Sequence, residues 1–236
     1  MNGSRHWQLI VAFLALLSYM PGHAQTQTTE LLPELDAHVG LNFNVRLVFQ
    51  DKQTLNGGLA STELGPSIEF YLKPIRILGD VTLFDLDETK PVPLTMSVGY
   101  RVLIYPGKPT TNRVEPVVLV RLPFWGRILA TDKNRADIDW SNGAFYWRYR
   151  NRLTTERGLT IHSYHPRPYV SAEFLYTSKY AKWSNTRLYA GCLLPLGRHF
   201  ELDPYYEHDN NTGPKPNQQI NAAGFIFNLY FPNHKK

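Results

Sequence analysis

The feature that most constrains this sequence is a strict alternation of apolar and polar residues. It is clearest from Leu35 to Gln50, where apolar residues occupy every odd position from Leu35 to Phe49 and Val48 alone breaks the polar or glycine even positions. A period of two places alternate side chains on opposite faces of a β-strand. These 16 residues exceed the roughly 5–6 residues usual for globular strands. The pattern predicts one long strand of the kind that crosses a membrane in a barrel.

The same alternation recurs to the end of the chain. It predicts ten strands: Leu35–Gln50, Gly65–Lys73, Val92–Ile104, Val114–Phe124, Arg127–Trp140, Phe145–Leu153, Pro168–Tyr176, Thr186–Leu196, Phe200–His208 and Gln219–Phe231. Turn-forming residues such as Ser141-Asn142-Gly143 separate them. Asp132 and Asn134 interrupt the apolar face of their strand, so we expect either a bulge there or a strand that stands partly clear of lipid. Leu78–Thr89 is unassigned, either a long loop or an extra strand pair that would raise the count to twelve.

The N-terminal residues predict export. Arg5 and His6 precede an apolar run from Leu9 to Leu17, and Gly22-His23-Ala24 follows as a small-residue cleavage site. This order is typical of a secretory signal peptide, because the apolar run is shorter than the roughly 20 residues of a membrane-spanning helix. We predict a signal peptide at 1–24, cleaved near Ala24, and one domain at 25–236.

Long, regular strands leave two architectures, a secreted β-sandwich binding protein and an outer-membrane barrel. Strands of this length favour the barrel, and an even strand count would return both termini to the periplasmic side. Aromatic residues gather where barrels carry girdles: Trp140, Tyr180 and Trp183 at one set of strand ends, and Phe124, Trp125, Phe200 and Phe231 at the other. We predict an all-β, antiparallel, up-and-down transmembrane β-barrel in the cell outer membrane.

Several short pieces resemble a known bacterial family. They occur in the order Asn44-Val45-Arg46-Leu47, Gly99-Tyr100-Arg101, Trp147-Arg148-Tyr149-Arg150-Asn151-Arg152, Pro168-Tyr169 with Glu173, and Arg187-Leu188-Tyr189-Ala190-Gly191. The chain is similar in these pieces to uncharacterised, predicted outer-membrane β-barrel proteins that define a domain of unknown function. The resemblance covers nearly all of the mature chain, and its arginine-rich strand is the most specific part. It implies an outer-membrane location and a barrel fold, and it carries no catalytic residues.

The arginine-rich strand indicates a charged interior. A strand there places Trp147 and Tyr149 on the lipid face and Arg148, Arg150 and Arg152 on the lumen face. Sorting the other strands by face predicts a lumen charge network of Asp36, His38, Arg46, Glu69, Arg101, Glu115, Arg121, Arg148, Arg150, Arg152, Glu173, Arg187, Glu201, Asp203 and Glu207. Charges of both signs in a narrow lumen should form ion pairs. We predict a largely filled lumen with a structural role, or a narrow pore for small polar or ionic solutes.

A membrane-embedded lipid hydrolase, acting on lipid A or phospholipid, is the alternative function. Its candidate residues are His162, Ser163 and His165, with Glu173 as the acid. The Gly-x-Ser-x-Gly motif is absent, and His162 and His165 lack a third metal ligand at a suitable spacing. We therefore predict no cofactor and no metal.

Charge and cysteine content limit the partners. The net charge of +5 is spread along the chain without a basic block, which argues against a nucleic-acid partner. Cys192 is the only cysteine, so no intramolecular disulfide can form. Lysines in predicted outward loops could contact lipopolysaccharide phosphates; they are Lys52, Lys108, Lys179, Lys182 and Lys215. The predicted partners are outer-membrane lipid, lipopolysaccharide and, during insertion, the barrel-assembly machinery.

Overall fold

The chain forms a closed β-barrel in a computed structural model that describes residues 26–42, 44–71, 86–87, 89–124 and 127–232. Its strands are β1 (Thr26–Asn42), β2 (Val45–Leu55), β3 (Leu59–Tyr71), β4 (Leu94–Ile104), β5 (Thr111–Phe124), β6 (Ile128–Ser141), β7 (Ala144–Arg157), β8 (Arg167–Thr177), β9 (Lys182–Pro195), β10 (Phe200–Asn211) and β11 (Gln218–Phe231). The all-β barrel prediction is confirmed, and a sandwich is excluded because the sheet closes on itself. The predicted signal peptide and most of Leu78–Thr89 lie outside the described residues. In the described part of the chain, no helix is long and apolar enough to cross a membrane.

The eleventh strand comes from the stretch predicted as one long strand, and that prediction is wrong. Residues 35–50 contain the hairpin between β1 and β2, where the backbone N–H of Asn44 donates to Oδ1 of Asn42 at 2.9 Å. Cross-strand partners include Asp36 with Gln50 and Gly40 with Arg46. The two residue numbers in each of these pairs are both even, so even-numbered residues of β1 and of β2 point to the same face of the sheet. The alternation therefore passes through the turn unbroken.

Closure of the barrel differs from a purely antiparallel sheet. β1 and β11 pair in parallel, from Thr26 with Gln218 to Val39 with Phe231, while all other neighbours are antiparallel. Successive strands of an up-and-down barrel alternate in direction, so a closed ring with an odd number of strands must contain one parallel pair. Thr26 and Phe231 consequently lie at opposite ends of the barrel, which corrects the expectation of both ends on one side. We call the end where β11 finishes the C-terminal rim and the end where β1 begins the N-terminal rim.

The outer wall is apolar, as the alternation predicts. Its exposed side chains include Leu64, Val98, Leu122, Leu153, Val170 and Leu188. The aromatic residues lie at the two rims as expected, with Trp140, Tyr180 and Trp183 at the N-terminal rim and Phe124, Phe200 and Phe231 at the C-terminal rim. Trp125 lies outside the described residues. A wall of this composition is typical of a barrel whose outer surface meets lipid.

Polar residues on the outer face of β6 form a local cluster. The pairing of β6 with β5 and β7 has no register shift, so the expected bulge is absent. Nδ2 of Asn151 instead donates to Oδ1 of Asp132 at 2.6 Å and to Oδ1 of Asn134 at 3.1 Å. These contacts satisfy the polar groups and let the strand remain regular.

Inside the barrel, tyrosine rings alternate with glycines across four neighbouring strands. Tyr169, Gly191, Tyr205 and Gly224 are successive partners on β8 to β11. A Cβ atom on Gly224 would lie 2.1 Å from Cζ of Tyr205, and one on Gly191 would lie 2.6 Å from Cζ of Tyr169. Large and small side chains thus interlock to fill this part of the lumen.

Replacing Gly224 with valine should displace the Tyr205 ring and destabilise the barrel by about 1–3 kcal/mol, the usual cost of overpacking. Urea unfolding of the protein in lipid vesicles measures the change. Gly58 is the matched control, because a Cβ atom there would meet nothing within 4 Å. Equal unfolding midpoints for Gly224→Val and Gly58→Val would contradict this packing.

Candidate functional site

The lumen is organised around two buried carboxylates on β6. Asp137 and Asp139 are 0% exposed, and the register places Asp137 opposite Arg148 of β7. Nη2 of Arg148 lies 3.0 Å from Oδ2 of Asp139 and 3.3 Å from Oδ2 of Asp137. Nη2 of Arg150 lies 2.7 Å from Oδ2 of Asp137. Two of the four arginines of β7 therefore converge on these acids.

Two further arginines complete this ion-pair cluster. Arg113 of β5 forms a two-pronged contact with Asp139, with Nε to Oδ1 at 2.6 Å and Nη2 to Oδ2 at 3.2 Å. Its Nη1 also donates to Glu63 at 2.9 Å. Arg135 of β6 binds both Asp137 and Glu115. Forked contacts of this kind hold guanidinium groups in one orientation.

Asp137, Asp139, Arg113 and Arg135 belong to this cluster but are missing from the predicted network. The pattern that contains three of them is visible in the sequence, since Lys133, Arg135, Asp137 and Asp139 alternate along one strand. Asp132 and Asn134 interrupt the opposite, apolar face of that strand. The lumen face of this strand is therefore visible in the sequence only as a run of alternate charged residues, because the apolar residues of the opposite face are interrupted.

A second cluster surrounds Glu173 on β8. Arg152 donates to it at 2.9 Å, and Nη1 of Arg187 lies 3.5 Å away. Arg152 also lies over the Tyr189 ring, with its guanidinium carbon 4.2 Å from the ring centroid. Arg187 extends the cluster to β10 through Asp209 at 2.9 Å and Glu207 at 3.5 Å. This cluster links strands β7 to β10 across the lumen.

Other predicted residues on the lumen side engage neutral partners. Glu201 accepts hydrogen bonds from Tyr230 at 3.2 Å and Asn228 at 3.3 Å, and Asp203 accepts one from Tyr169 at 3.1 Å. His38 stacks on the ring of Tyr230, with centroids 4.7 Å apart.

In the described part of the lumen, some carboxylate oxygens lack hydrogen bonds. Among the described residues, Oδ1 of Asp36 and Oδ1 of Asp203 have no hydrogen-bond partner. The charge-pairing expected for the whole network therefore does not extend to these two oxygens.

Arg101 ties the inner faces of β3 and β4 together. Its Nη1 donates to the carbonyls of Gly65 at 2.9 Å and Pro66 at 2.7 Å, and its Nε lies 3.6 Å from Glu115. With this contact, the structure places every residue of the predicted network on the inward face of the wall.

The described residues of the connection before β4 lie inside the barrel at the C-terminal rim. We call its described residues, 86–87 and 89–93, the plug segment. Asp87 accepts a hydrogen bond from Arg46 at 2.7 Å, and Arg46 also contacts Glu69 at 2.7 Å. Nζ of Lys90 lies 2.6 Å from Oε2 of Glu156. Arg121 donates to the carbonyls of Thr89 and Val92, each at 3.1 Å. These contacts fasten the plug segment to β2, β5 and β7.

Asp87 lies outside the strands and remains charged over a wide pH range. Burial by itself would raise the pKa of its carboxyl group, but the neighbouring Arg46 and Arg121 guanidinium groups hold that pKa well below its usual range. A carboxylate with a depressed pKa keeps its stabilising contribution above its ordinary pKa and loses it only as the pH falls through the lower value. The contact between Asp87 and Arg46 should therefore persist throughout the neutral and mildly acidic range.

A chamber of about 460 Å³ lies within the lumen. Its cationic lining comes mainly from β5 to β9, with Arg113, Lys133, Arg135, Arg148, Arg150, Arg152 and Arg187, and Lys52 of β2 is the eighth cation. Its acidic lining comes mainly from β10, β1 and β3 and includes Glu30, Glu34, Asp36, Glu63, Asp203, Glu207 and Asp209. The volume falls in the range of roughly 300–1,000 Å³ in which proteins hold small molecules.

Lysines predicted for outward loops divide into two groups. Lys52 lies inside the barrel, with Nζ 3.6 Å from Oε2 of Glu34, because its strand continues further than the alternation indicated. Lys108, Lys179, Lys182 and Lys215 all lie at the N-terminal rim, in or beside the connections between strands.

The candidate hydrolase residues are not assembled into one set. His162 and Ser163 lie in the turn between β7 and β8, which Ile161 and Tyr164 close with a bridge, and His165 follows them. Glu173 points into the lumen, where Arg152 and Arg187 engage it. Within the described parts of the chain, no group of three or more His, Cys, Asp or Glu side chains is arranged to hold a metal ion.

Comparisons with protein-family models, curated proteins and solved structures gave no match. The resemblance to the uncharacterised barrel family therefore stays a prediction.

Proposed function

We propose that this protein is an outer-membrane β-barrel whose charged chamber is a narrow passage for small polar or ionic solutes, closed at the C-terminal rim by the plug segment. The observation that carries the proposal is the combination of an apolar outer wall with a polar chamber inside it. A water-soluble barrel would have the reverse arrangement, because its apolar side chains would fill the interior.

The clusters around Asp137 and Glu173 would form the rigid wall of this passage. Removing a charge from water is costly unless paired groups and hydrogen bonds compensate for it. Arginines that contact two acids each have little freedom to move, so the chamber would keep its shape as solutes pass. The plug segment differs, because it is fastened by a few side chains and is not part of the sheet.

The rims support a membrane position. Aromatic residues at both rims would lie at the two lipid–water interfaces, as they do in membrane barrels. The four lysines at the N-terminal rim could contact lipid phosphates, including those of lipopolysaccharide. The hydrolase alternative lacks comparable support, since Glu173 is engaged by arginines in the lumen.

A pair of outer-wall substitutions tests the membrane position. Leu188 lies in the middle of β9 and is 52% exposed, whereas Leu59 begins β3 at the N-terminal rim and is 51% exposed. In lipid, Leu188→Arg should cost about 2–4 kcal/mol and Leu59→Arg about 0–1 kcal/mol, because the penalty for a charge grows toward the bilayer centre. Unfolding in urea from lipid vesicles measures both values. Two small, equal effects would contradict the proposal, since water solvates both arginines alike.

Planar-bilayer recordings of the refolded protein test the passage. We expect discrete conductance steps when the plug segment is released, and their absence in both the natural and the released protein would exclude conduction.

A further inference from the structure

The charges that line the chamber are separated by sign. The arc from β5 to β9 contributes seven cationic side chains and two carboxylates, whereas the arc from β10 through β11 and β1 to β3 contributes seven carboxylates and one lysine. In a ring of eleven strands, β6 and β7 lie across the lumen from β1. The chamber is therefore bipolar, with a basic wall and an acidic wall facing each other.

The basic wall has one cation that the ion-pair clusters leave available. Lys133 lies on the lumen side of β6 and lines the chamber beside Arg152, its partner on β7. Among the described residues, no carboxylate oxygen lies within 4 Å of its ammonium group. The nearby acids Glu115 and Glu173 are engaged by arginines.

The acidic wall has matching acceptors. Asp36 and Asp203 line the chamber, and Oδ1 of each has no hydrogen-bond partner among the described residues. Asp36 of β1 faces Lys133 of β6 from the far side of the lumen. A buried acceptor without a partner is costly, so a ligand that donates to it gains binding free energy.

We propose that the chamber binds a small zwitterion, with its carboxylate toward Lys133 and its ammonium group toward Asp36 and Asp203. A simple anion would satisfy the basic wall and be repelled by the acidic one, and a simple cation would meet the converse. A solute that carries both charges at its two ends satisfies both walls at once. This inference rests on the proposed function for access to the chamber.

A series of ω-amino acids tests the inference and measures the span between the walls. Glycine, β-alanine, 4-aminobutyrate and 6-aminohexanoate are titrated calorimetrically into the refolded barrel, alongside the carboxylic acid and the amine of matched chain length. One amino acid of the series should bind at least about tenfold more tightly than its matched acid and amine, because each end adds a charged hydrogen bond. Equal affinities for all three compounds, or no binding by any of them, would overturn the inference.

Variants identify the two ends. Lys133→Gln should bring the affinity for the preferred amino acid down to that for the amine, and the double variant Asp36→Asn with Asp203→Asn should bring it down to that for the acid. Lys108→Gln, at the N-terminal rim, is the matched control and should bind as the natural protein does. Unchanged affinity in both lumen variants would refute the assignment. The bilayer recordings are independent, since conduction without zwitterion binding would leave the proposed function standing and remove only this inference.

Discussion

Replacing Asp137 with leucine is expected to lower the free energy of unfolding by at least about 3–5 kcal/mol. The carboxylate is 0% exposed and contacts Arg135, Arg148 and Arg150. Its removal leaves guanidinium groups buried without compensating charge, and breaking one buried pair alone costs about 3–5 kcal/mol. Urea titration in lipid vesicles, together with heat-modifiable migration on a gel, measures the loss.

Two further variants provide a comparison and a control for this prediction. Arg150→Leu should lower barrel stability by less than Asp137→Leu, because Asp137 retains Arg135 and Arg148. Asp51→Leu removes an exposed aspartate from the outer face of β2 and should change stability little. If Asp137→Leu unfolded at the same urea concentration as Asp51→Leu, the prediction that the Asp137 ion pairs stabilise the barrel would be contradicted.

Releasing the plug segment should have the largest effect on conduction. The double variant Asp87→Ala and Lys90→Ala removes the contacts to Arg46 and Glu156 that fasten this segment to β2 and β7, and leaves only the hydrogen bonds from Arg121 of β5 among the side-chain contacts described above. We expect the C-terminal rim to open and the single-channel conductance to rise severalfold in planar-bilayer recordings. Lys108→Ala, at the opposite rim, is the control and should conduct like the natural protein. Identical traces for the double variant and the control would contradict a closing role for the segment.

The pH dependence of the natural protein gives an independent check on the same contact. Because Arg46 and Arg121 hold the pKa of Asp87 below its ordinary range, the carboxylate stays charged as the pH falls from neutrality toward that range. Mild acid should therefore leave the conductance of the natural protein close to its value at neutral pH. Opening near pH 5 would show that another group controls the plug segment.

What the sequence by itself determined is which way the strand side chains point. Successive side chains of a strand alternate between two faces, so the direction of Arg148, Arg150 and Arg152 follows from local geometry alone. The same alternation places the apolar residues on the opposite, outer face of each strand. Repeated along the chain, this pattern predicts the all-β barrel. Both properties need only a few consecutive residues, and for that reason they could be predicted.

Only the tertiary structure decided how many strands there are and which charges meet. The β1–β2 turn was concealed because the hairpin register preserves parity, and the parallel pairing of β1 with β11 joins residues almost 200 positions apart. The meeting of Asp137 with Arg150, and of Asp87 with Arg46, depends on the register of neighbouring strands and on the path of a connection. Such contacts are set by how the whole sheet closes, and no local pattern contains that information.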